Sequence, residues 1–279
     1  MIPVIDFGGK GAPLHFLHAN GYPPNCYQPL LERFGTKHQT LGMLLRPLWL
    51  DANPEEIQDW NPLSEDLIQL LDEKKLNTVI GVGHSIGAIV TLRAALKQPN
   101  RFRALVLLDP VLFPRYYMAE WNLVRIFKLG NKLHPMIAGA LNRRREFDDL
   151  EKIFAGYRRR EVFRFFSDDN LCALIKGMTK PKADGGFELV YSPEWEARIY
   201  YTGIWNDWDL WQNIHRLEIP TLIIRGAETD TFWESTARII EKKNRRIKIV
   251  SLEKSTHLLP LEKPNEVFEI TESFLKDVL

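Results

Sequence analysis

Short, nearly unbroken apolar runs alternate with helix-patterned stretches in this chain, and that alternation limits the folds open to it. Residues 14–18, 40–45, 78–82 and 104–108 are four such runs in the first 110 positions. A strand that is apolar at almost every position must be covered on both faces, as in a parallel sheet sandwiched between helix layers. The stretches between the runs fit that arrangement. Asn61-Pro62 is a favourable helix start, and Leu63, Leu67, Ile68, Leu70 and Leu71 then form an apolar face. A second helix is expected over 86–98, ending before Pro99. The expected fold class is α/β, with a mostly parallel central sheet flanked by helices.

The rhythm breaks after Asp109 and resumes at Thr221-Leu-Ile-Ile-Arg225. A helix over about 232–243, a strand over 247–252 and a last helix over about 264–278 complete it. The intervening stretch far exceeds the roughly 2–6 residues of an ordinary connection in such a sheet. It is rich in charge and aromatics, including Trp195, Trp205, Trp208 and Trp211. The expected organisation is a core domain of residues 1–112 and 216–279, with a mainly helical cap over 113–215. There is no internal repeat.

Composition removes several functions. Of 279 residues, 37 are Lys or Arg and 36 are Asp or Glu, leaving a formal charge of +1. That balance argues against a protein dedicated to nucleic acid, which needs a basic excess. Cys26 and Cys172 are the only cysteines, too few for a disulfide framework or a multi-cysteine zinc site. No H-E-x-x-H occurs, and His15 and His18 fall on opposite faces of a strand, so no metal is expected. No apolar stretch has the length of a membrane span, and the first residues lack the pattern of a secretory signal. The expectation is a cytoplasmic enzyme.

The chemistry enters at Gly83-His84-Ser85-Ile86-Gly87, a G-x-S-x-G sequence between an apolar run and a helical stretch. A serine on such a turn projects its hydroxyl beyond the sheet edge, and the helix that follows directs its positive dipole end at the reacting centre. The plainer alternative is a glycine-rich turn with no chemistry. A dinucleotide-binding turn is excluded by register, since G-x-G-x-x-G would need glycine where Ile86 stands.

With these residues in place, the chain resembles the serine α/β-hydrolases over nearly its whole length. Leu17-His-Ala-Asn-Gly-Tyr-Pro23 is similar to the family's oxyanion loop, with Ala19 where the usual dipeptide has glycine. The resemblance implies that a backbone N–H from this loop pairs with that of Ile86 around an oxyanion. Asn20 is the expected donor and Ala19 the alternative. It also implies the order serine, acid, histidine. His257, in the loop before the last helix, is the expected base, although Thr256 replaces the usual preceding glycine. Arg225-Gly-Ala-Glu-Thr-Asp230 resembles the family's acid loop, which makes Asp230 the expected acid; Asp109 is the competitor, because some relatives carry the acid there.

The implied activity is cleavage of a small or medium carboxylic ester by Ser85, His257 and Asp230 through an acyl-enzyme, without a cofactor. A thioesterase, a carbon–carbon bond hydrolase, a cofactor-free perhydrolase and a non-catalytic ligand-binding protein are the alternatives on the same fold. Ala19, His84, Phe113, Tyr117 and Leu258 are expected to line the substrate pocket. The implied partner is a small-molecule acyl substrate rather than nucleic acid, and a homodimer is compatible with the sequence. The basic runs Arg143–Arg145 and Arg158–Arg160 are interleaved with carboxylates and read as solvated helix faces.

Overall fold

A computed structural model describes residues 1–205 and 207–279, the side chain of Asn131 excepted. The strands of the main sheet are β1 (Val4–Asp6), β2 (Pro13–Leu17), β3 (Gln39–Met43), β4 (Val79–His84), β5 (Phe102–Leu108), β9 (Thr221–Gly226) and β10 (Ile247–Leu252). Their order is β1-β3-β2-β4-β5-β9-β10. All neighbours are parallel except β1, which pairs antiparallel with β3 through Val4 and Met43. This edge strand is not evident in the sequence, because three residues carry too little pattern.

Alternate residues of the buried strands enter two cores. On β5, Leu105 and Leu107 face one side and Ala104, Val106 and Leu108 the other. The first core takes the apolar faces of α2 (Asn61–Glu73), α3 (Ile86–Lys97) and α11 (Glu234–Lys243). The second takes those of α1 (Gln28–Gly35), the short α12 (Leu259–Glu262) and α13 (Pro264–Val278). Each fully buried Leu, Ile, Val or Phe contributes roughly 1.5–3 kcal/mol of burial. The start of α2 differs in detail from expectation. Asn61 is its first helical residue rather than its cap, and the Asn61 N–H donates to Asp59 Oδ1 at 2.8 Å.

Between β5 and β9 the described residues form α4 (Arg115–Ile126), α5 (Gly130–Leu133), α6 (Pro135–Leu141), α7 (Leu150–Arg158), α8 (Asp168–Met178), α9 (Pro193–Thr202) and α10 (Trp208–Asn213). They also form a three-stranded antiparallel sheet of β6 (Glu146–Phe147), β7 (Thr179–Pro181) and β8 (Phe187–Leu189). The sequence did not foreshadow these strands of two or three residues. Trp195, Ile199 and Trp211 join the first core, while Leu171, Leu174 and Met178 join the second. The segment is thus fastened to both sides of the sheet. Among the described residues no helix is long and apolar enough to cross a membrane.

The topology decides where a site can form. Strand order reverses direction between β2 and β4, which are paired through Leu17 and Gly83. In open parallel sheets the crevice for a ligand lies beyond the carboxyl ends of the strands at such a switch point. The loops after β2, β4, β5 and β9 leave that same edge, and so does the loop after β10.

Candidate active site

Ser85 stands between β4 and α3 with φ 58° and ψ −119°, a backbone geometry that non-glycine residues rarely adopt. Strain of this kind costs on the order of 1–3 kcal/mol and persists only where the surroundings impose it. Here the Ser85 N–H donates to the Leu108 carbonyl at 3.0 Å, and α3 begins at the next residue. Closeness of helix and strand is why the flanking positions are glycine. A Cβ on Gly83 would lie 2.4 Å from the Gly87 carbonyl oxygen, and one on Gly87 would lie 2.2 Å from that of Leu17.

His257 follows β10, and its Nε2 lies 2.9 Å from Ser85 Oγ across 172 residues of chain. Its Nδ1 lies 2.7 Å from Asp109 Oδ2. With the proton on Nδ1 donated to the carboxylate, Nε2 accepts from the serine hydroxyl. The expectation that Asp230 holds the imidazole is therefore not met. Asp230 is exposed, and its carboxylate accepts from the neighbouring Thr231 hydroxyl at 3.1 Å. Asp109, one residue past β5, is fully buried. Its Oδ1 accepts from the Gly226 N–H at 3.0 Å and its Oδ2 from the Thr229 hydroxyl at 2.6 Å. The last residue of β9 and the loop after it thus supply two donors that fix the carboxylate, and not the carboxylate itself. Adjacent parallel strands β5 and β9 bring both loops to one place, so each carboxylate was a reasonable candidate.

The loop after β2 is equally determined. The His18 Nε2 accepts from the Leu45 N–H at 3.2 Å, so its Nδ1 carries the proton and donates to the Ala19 carbonyl at 2.8 Å. The Ala19 N–H donates to the Tyr27 hydroxyl at 3.2 Å and is not free for an oxyanion. The Asn20 N–H has no partner among the described residues, and its side-chain amide donates to the Glu196 carbonyl of α9 at 2.9 Å. Ile86 is the first residue of α3, where backbone N–H groups lack intrahelical acceptors.

Behind the serine, His84 joins the two loops. The Tyr27 hydroxyl lies 2.7 Å from His84 Nδ1, and His84 Nε2 lies 2.8 Å from the His257 carbonyl oxygen. An imidazole that donates from Nε2 must accept at Nδ1, so the order of donors runs from the Ala19 N–H through Tyr27 and His84 to the backbone of His257. Burial holds the His84 pKa well below 6.5, and the nearby His257 ring lowers it further. Burial likewise pushes His18 down to about 4, against the bond to Ala19 that raises it. His84 therefore serves as a neutral spacer with both nitrogens engaged, rather than as the pocket wall expected from sequence.

The remaining expected pocket residues fall into two groups. Ala19 and Leu258 are buried. Phe113 and Tyr117 are half-buried and form an aromatic cluster with Trp233, with ring centroids 4.6–5.5 Å apart. Trp233 was not singled out in the sequence because nothing local marks a residue past β9 as a neighbour of one past β5. Glu262 was also missed. Its buried carboxylate accepts from the Thr256 N–H at 2.8 Å and from the Thr256 hydroxyl at 2.6 Å, which fixes the residue before His257. Burial raises the Glu262 pKa and these two bonds work against that rise.

A nucleophile hydrogen-bonded to a base, which is in turn held by a buried carboxylate, can carry out acyl transfer. Comparison with known proteins bears on the fold and the family. A profile of the alpha/beta hydrolase family matches residues 13–270. The chain is 21% identical over 276 residues to the (E)-2-((N-methylformamido)methylene)succinate hydrolase of Acinetobacter baylyi, covering 96% of this chain and 92% of that one. It is 21% identical over 273 residues to a pimeloyl-[acyl-carrier protein] methyl ester esterase of Legionella pneumophila, covering 98% of each. Among solved structures, an E-2-(acetamidomethylene)succinate hydrolase superposes with a TM-score of 0.78 at 19% identity, over 99% of this chain and 95% of that one. A thermophilic esterase from Thermogutta terrifontis, with malate bound, gives 0.70 at 16% identity over 99% and 93%. The family match runs from β2 through β10 and into α13, so it embraces every loop of the site: the chain belongs to the alpha/beta hydrolase family and is a hydrolase.

Proposed function

We propose that the chain is a serine hydrolase cleaving a small or medium carboxylic ester, with Ser85 as nucleophile, His257 as base and Asp109 as the acid. The observation that carries this reading is the pair of contacts at His257: 2.9 Å from Nε2 to Ser85 Oγ and 2.7 Å from Nδ1 to Asp109 Oδ2. Ser85 Oγ attacks the acyl carbonyl while His257 Nε2 takes its proton. The carbonyl π electrons move onto oxygen, and the backbone N–H groups of Asn20 and Ile86 bind that oxyanion. Loss of one such donor typically costs about 2.7–4 kcal/mol of barrier. As the tetrahedral adduct collapses, His257 returns the proton to the leaving alcohol. Water then attacks the acyl-enzyme by the same route and releases the acid and Ser85. Asp109 keeps its charge throughout and stabilises the imidazolium.

Residues 113–215 act in this reading as a cap over the core domain of 1–112 and 216–279. The bond from Asn20 to the Glu196 carbonyl supports that role, since it ties α9 to the oxyanion loop. Phe113, Tyr117 and Trp233 form one wall of the acyl pocket. The relatives' names cover a methyl ester and amidomethylene succinates, so a panel of p-nitrophenyl esters of graded acyl length defines the substrate. Ser85→Ala is expected to abolish both ester turnover and labelling by a fluorophosphonate probe. Undiminished labelling of that variant would overturn the assignment.

A further inference from the structure

The outer face of the helices that follow Phe113 combines exposed apolar side chains with an excess of positive charge. Tyr116, Leu123, Ile126 and Phe127 recur at helical spacing along and just past α4, and are between 56% and 69% exposed. Leu133 and Met136, in α5 and α6, continue the face. The opposite side of these helices is already satisfied, because Met118, Trp121, Ile137 and Ala140 are buried in the first core. The outer side chains are members of neither core. Eight of the fourteen large apolar side chains that are prominently exposed among the described residues lie between Tyr116 and Leu141. Such concentration in one stretch marks an interaction surface rather than scattered exposure.

Charge indicates the partner. Between residues 115 and 141, the span of these three helices, the sequence has four Lys or Arg and a single carboxylate, Glu120, in a chain whose net charge is only +1. Arg115 lies over the ring of Trp208, and Arg125 turns inward over those of Tyr201 and Trp205. Lys128 and Lys132 are exposed, sit among the apolar side chains, and join no ion pair among the described residues. A two-fold contact between copies of this face would bring those lysines together with only Glu120 to offset them. An anionic bilayer satisfies both features. Aliphatic and aromatic side chains enter the headgroup boundary, while lysines on long stems stay at the level of the phosphates.

We propose that the outer face of α4–α6 docks this protein onto anionic lipid surfaces. The docking rests on the face alone and does not depend on the chemistry assigned to Ser85. The helix that carries it starts beside the Phe113, Tyr117 and Trp233 cluster, so a docked molecule holds that cluster next to the lipid.

The test is co-sedimentation of the full chain with phosphatidylcholine vesicles, with and without phosphatidylglycerol, at low and high salt. Binding is expected on the anionic vesicles, at least about tenfold weaker on phosphatidylcholine alone, and reduced by salt. The double variant Ile126→Asp with Phe127→Asp is expected to lose at least about tenfold in vesicle affinity while keeping the wild-type melting curve, because neither side chain enters a core. Lys128→Glu with Lys132→Glu is expected to weaken binding in the same sense. The proposal is overturned if the wild type ignores anionic vesicles, or if binding survives the Ile126 and Phe127 replacements. It is also overturned if the chain is a dimer that those replacements dissociate, which would make the face a self-interface. Retention on polyglutamate without binding to vesicles would assign the face to an acidic protein and overturn it equally.

Discussion

The Tyr27 hydroxyl lies 2.7 Å from Nδ1 of His84 and also accepts the Ala19 N–H, so one phenol joins the loop after β2 to the residue before Ser85. His84 passes the connection on to the backbone of His257. Tyr27→Phe keeps the ring and removes only the oxygen, leaving a buried N–H and an imidazole nitrogen unpaired. A stability loss of about 1–3 kcal/mol is expected from those two groups. If the relay positions the oxyanion loop against His257, kcat falls by roughly tenfold to a hundredfold with KM within about twofold, since small misplacements at a reacting centre are costly. Steady-state kinetics on a p-nitrophenyl ester, run beside urea denaturation, separates the outcomes. A stability loss with unchanged kcat would make Tyr27 merely structural.

Asp109 and Asp230 give the sharpest comparison. Asp109→Asn leaves a buried amide facing His257 Nδ1 and favours the wrong imidazole tautomer, so kcat is expected to fall by about 10³–10⁴. Asp230→Asn changes an exposed side chain bonded to its neighbour, and kcat is expected to stay within about twofold. The reverse result in kcat measurements would return the acid to the loop after β9.

Three buried histidines make stability depend on pH. Burial pushes His15 down to about 3 and His18 to about 4, and holds His84 well below 6.5. Each is neutral in the fold but takes up a proton on unfolding once pH drops below about 6.5, so the unfolded chain binds more protons and stability falls with pH. Their contribution is intact above that value and is lost progressively beneath it. His15 and His18 together are expected to remove on the order of 3 kcal/mol between pH 7.5 and 5.5, and His84 acts in the same direction. Urea midpoints across that range measure it. His15→Leu, which removes a ring with no hydrogen-bond partner for either nitrogen among the described residues, is expected to reduce the dependence by roughly 1.4 kcal/mol over that range.

Arg143 and Glu196 form a largely buried pair, 2.7 Å apart, within the segment between β5 and β9. Arg143→Met strands the Glu196 carboxylate in that setting and is expected to cost roughly 3–5 kcal/mol, whereas the double variant with Glu196→Gln costs clearly less. Denaturant unfolding of both variants checks this. Equal losses would mean that the pair contributes through packing alone.

Much of the architecture was legible in the chain because its causes are local. Continuous apolar runs gave β2, β3, β4, β5 and β9 to within a few residues, the mixed stretch Ile247–Leu252 after a helix gave β10, and the glycines around Ser85 answer to a close helix–strand approach that the motif itself implies. Positions at the carboxyl ends of parallel strands are likewise expected at one edge, which is what makes His257 and Asn20 legible as candidates. The strands β1, β6, β7 and β8 escaped notice, since two or three residues have no period to read.

Which side chains meet was a different matter. Asp109 and Asp230 both follow apolar parallel strands that lie side by side, and no spacing separates their claims. Only the packed loops decide it, by pointing Gly226 and Thr229 at Asp109 and leaving Asp230 in water. Tyr27, Trp233 and Glu262 are likewise ordinary residues in one dimension. The linear chain sets backbone pattern and turn chemistry because those act over a few residues. Hydrogen-bond partnership acts over about 3 Å between groups many residues apart, and that distance comes into being only when the sheet and its loops are assembled.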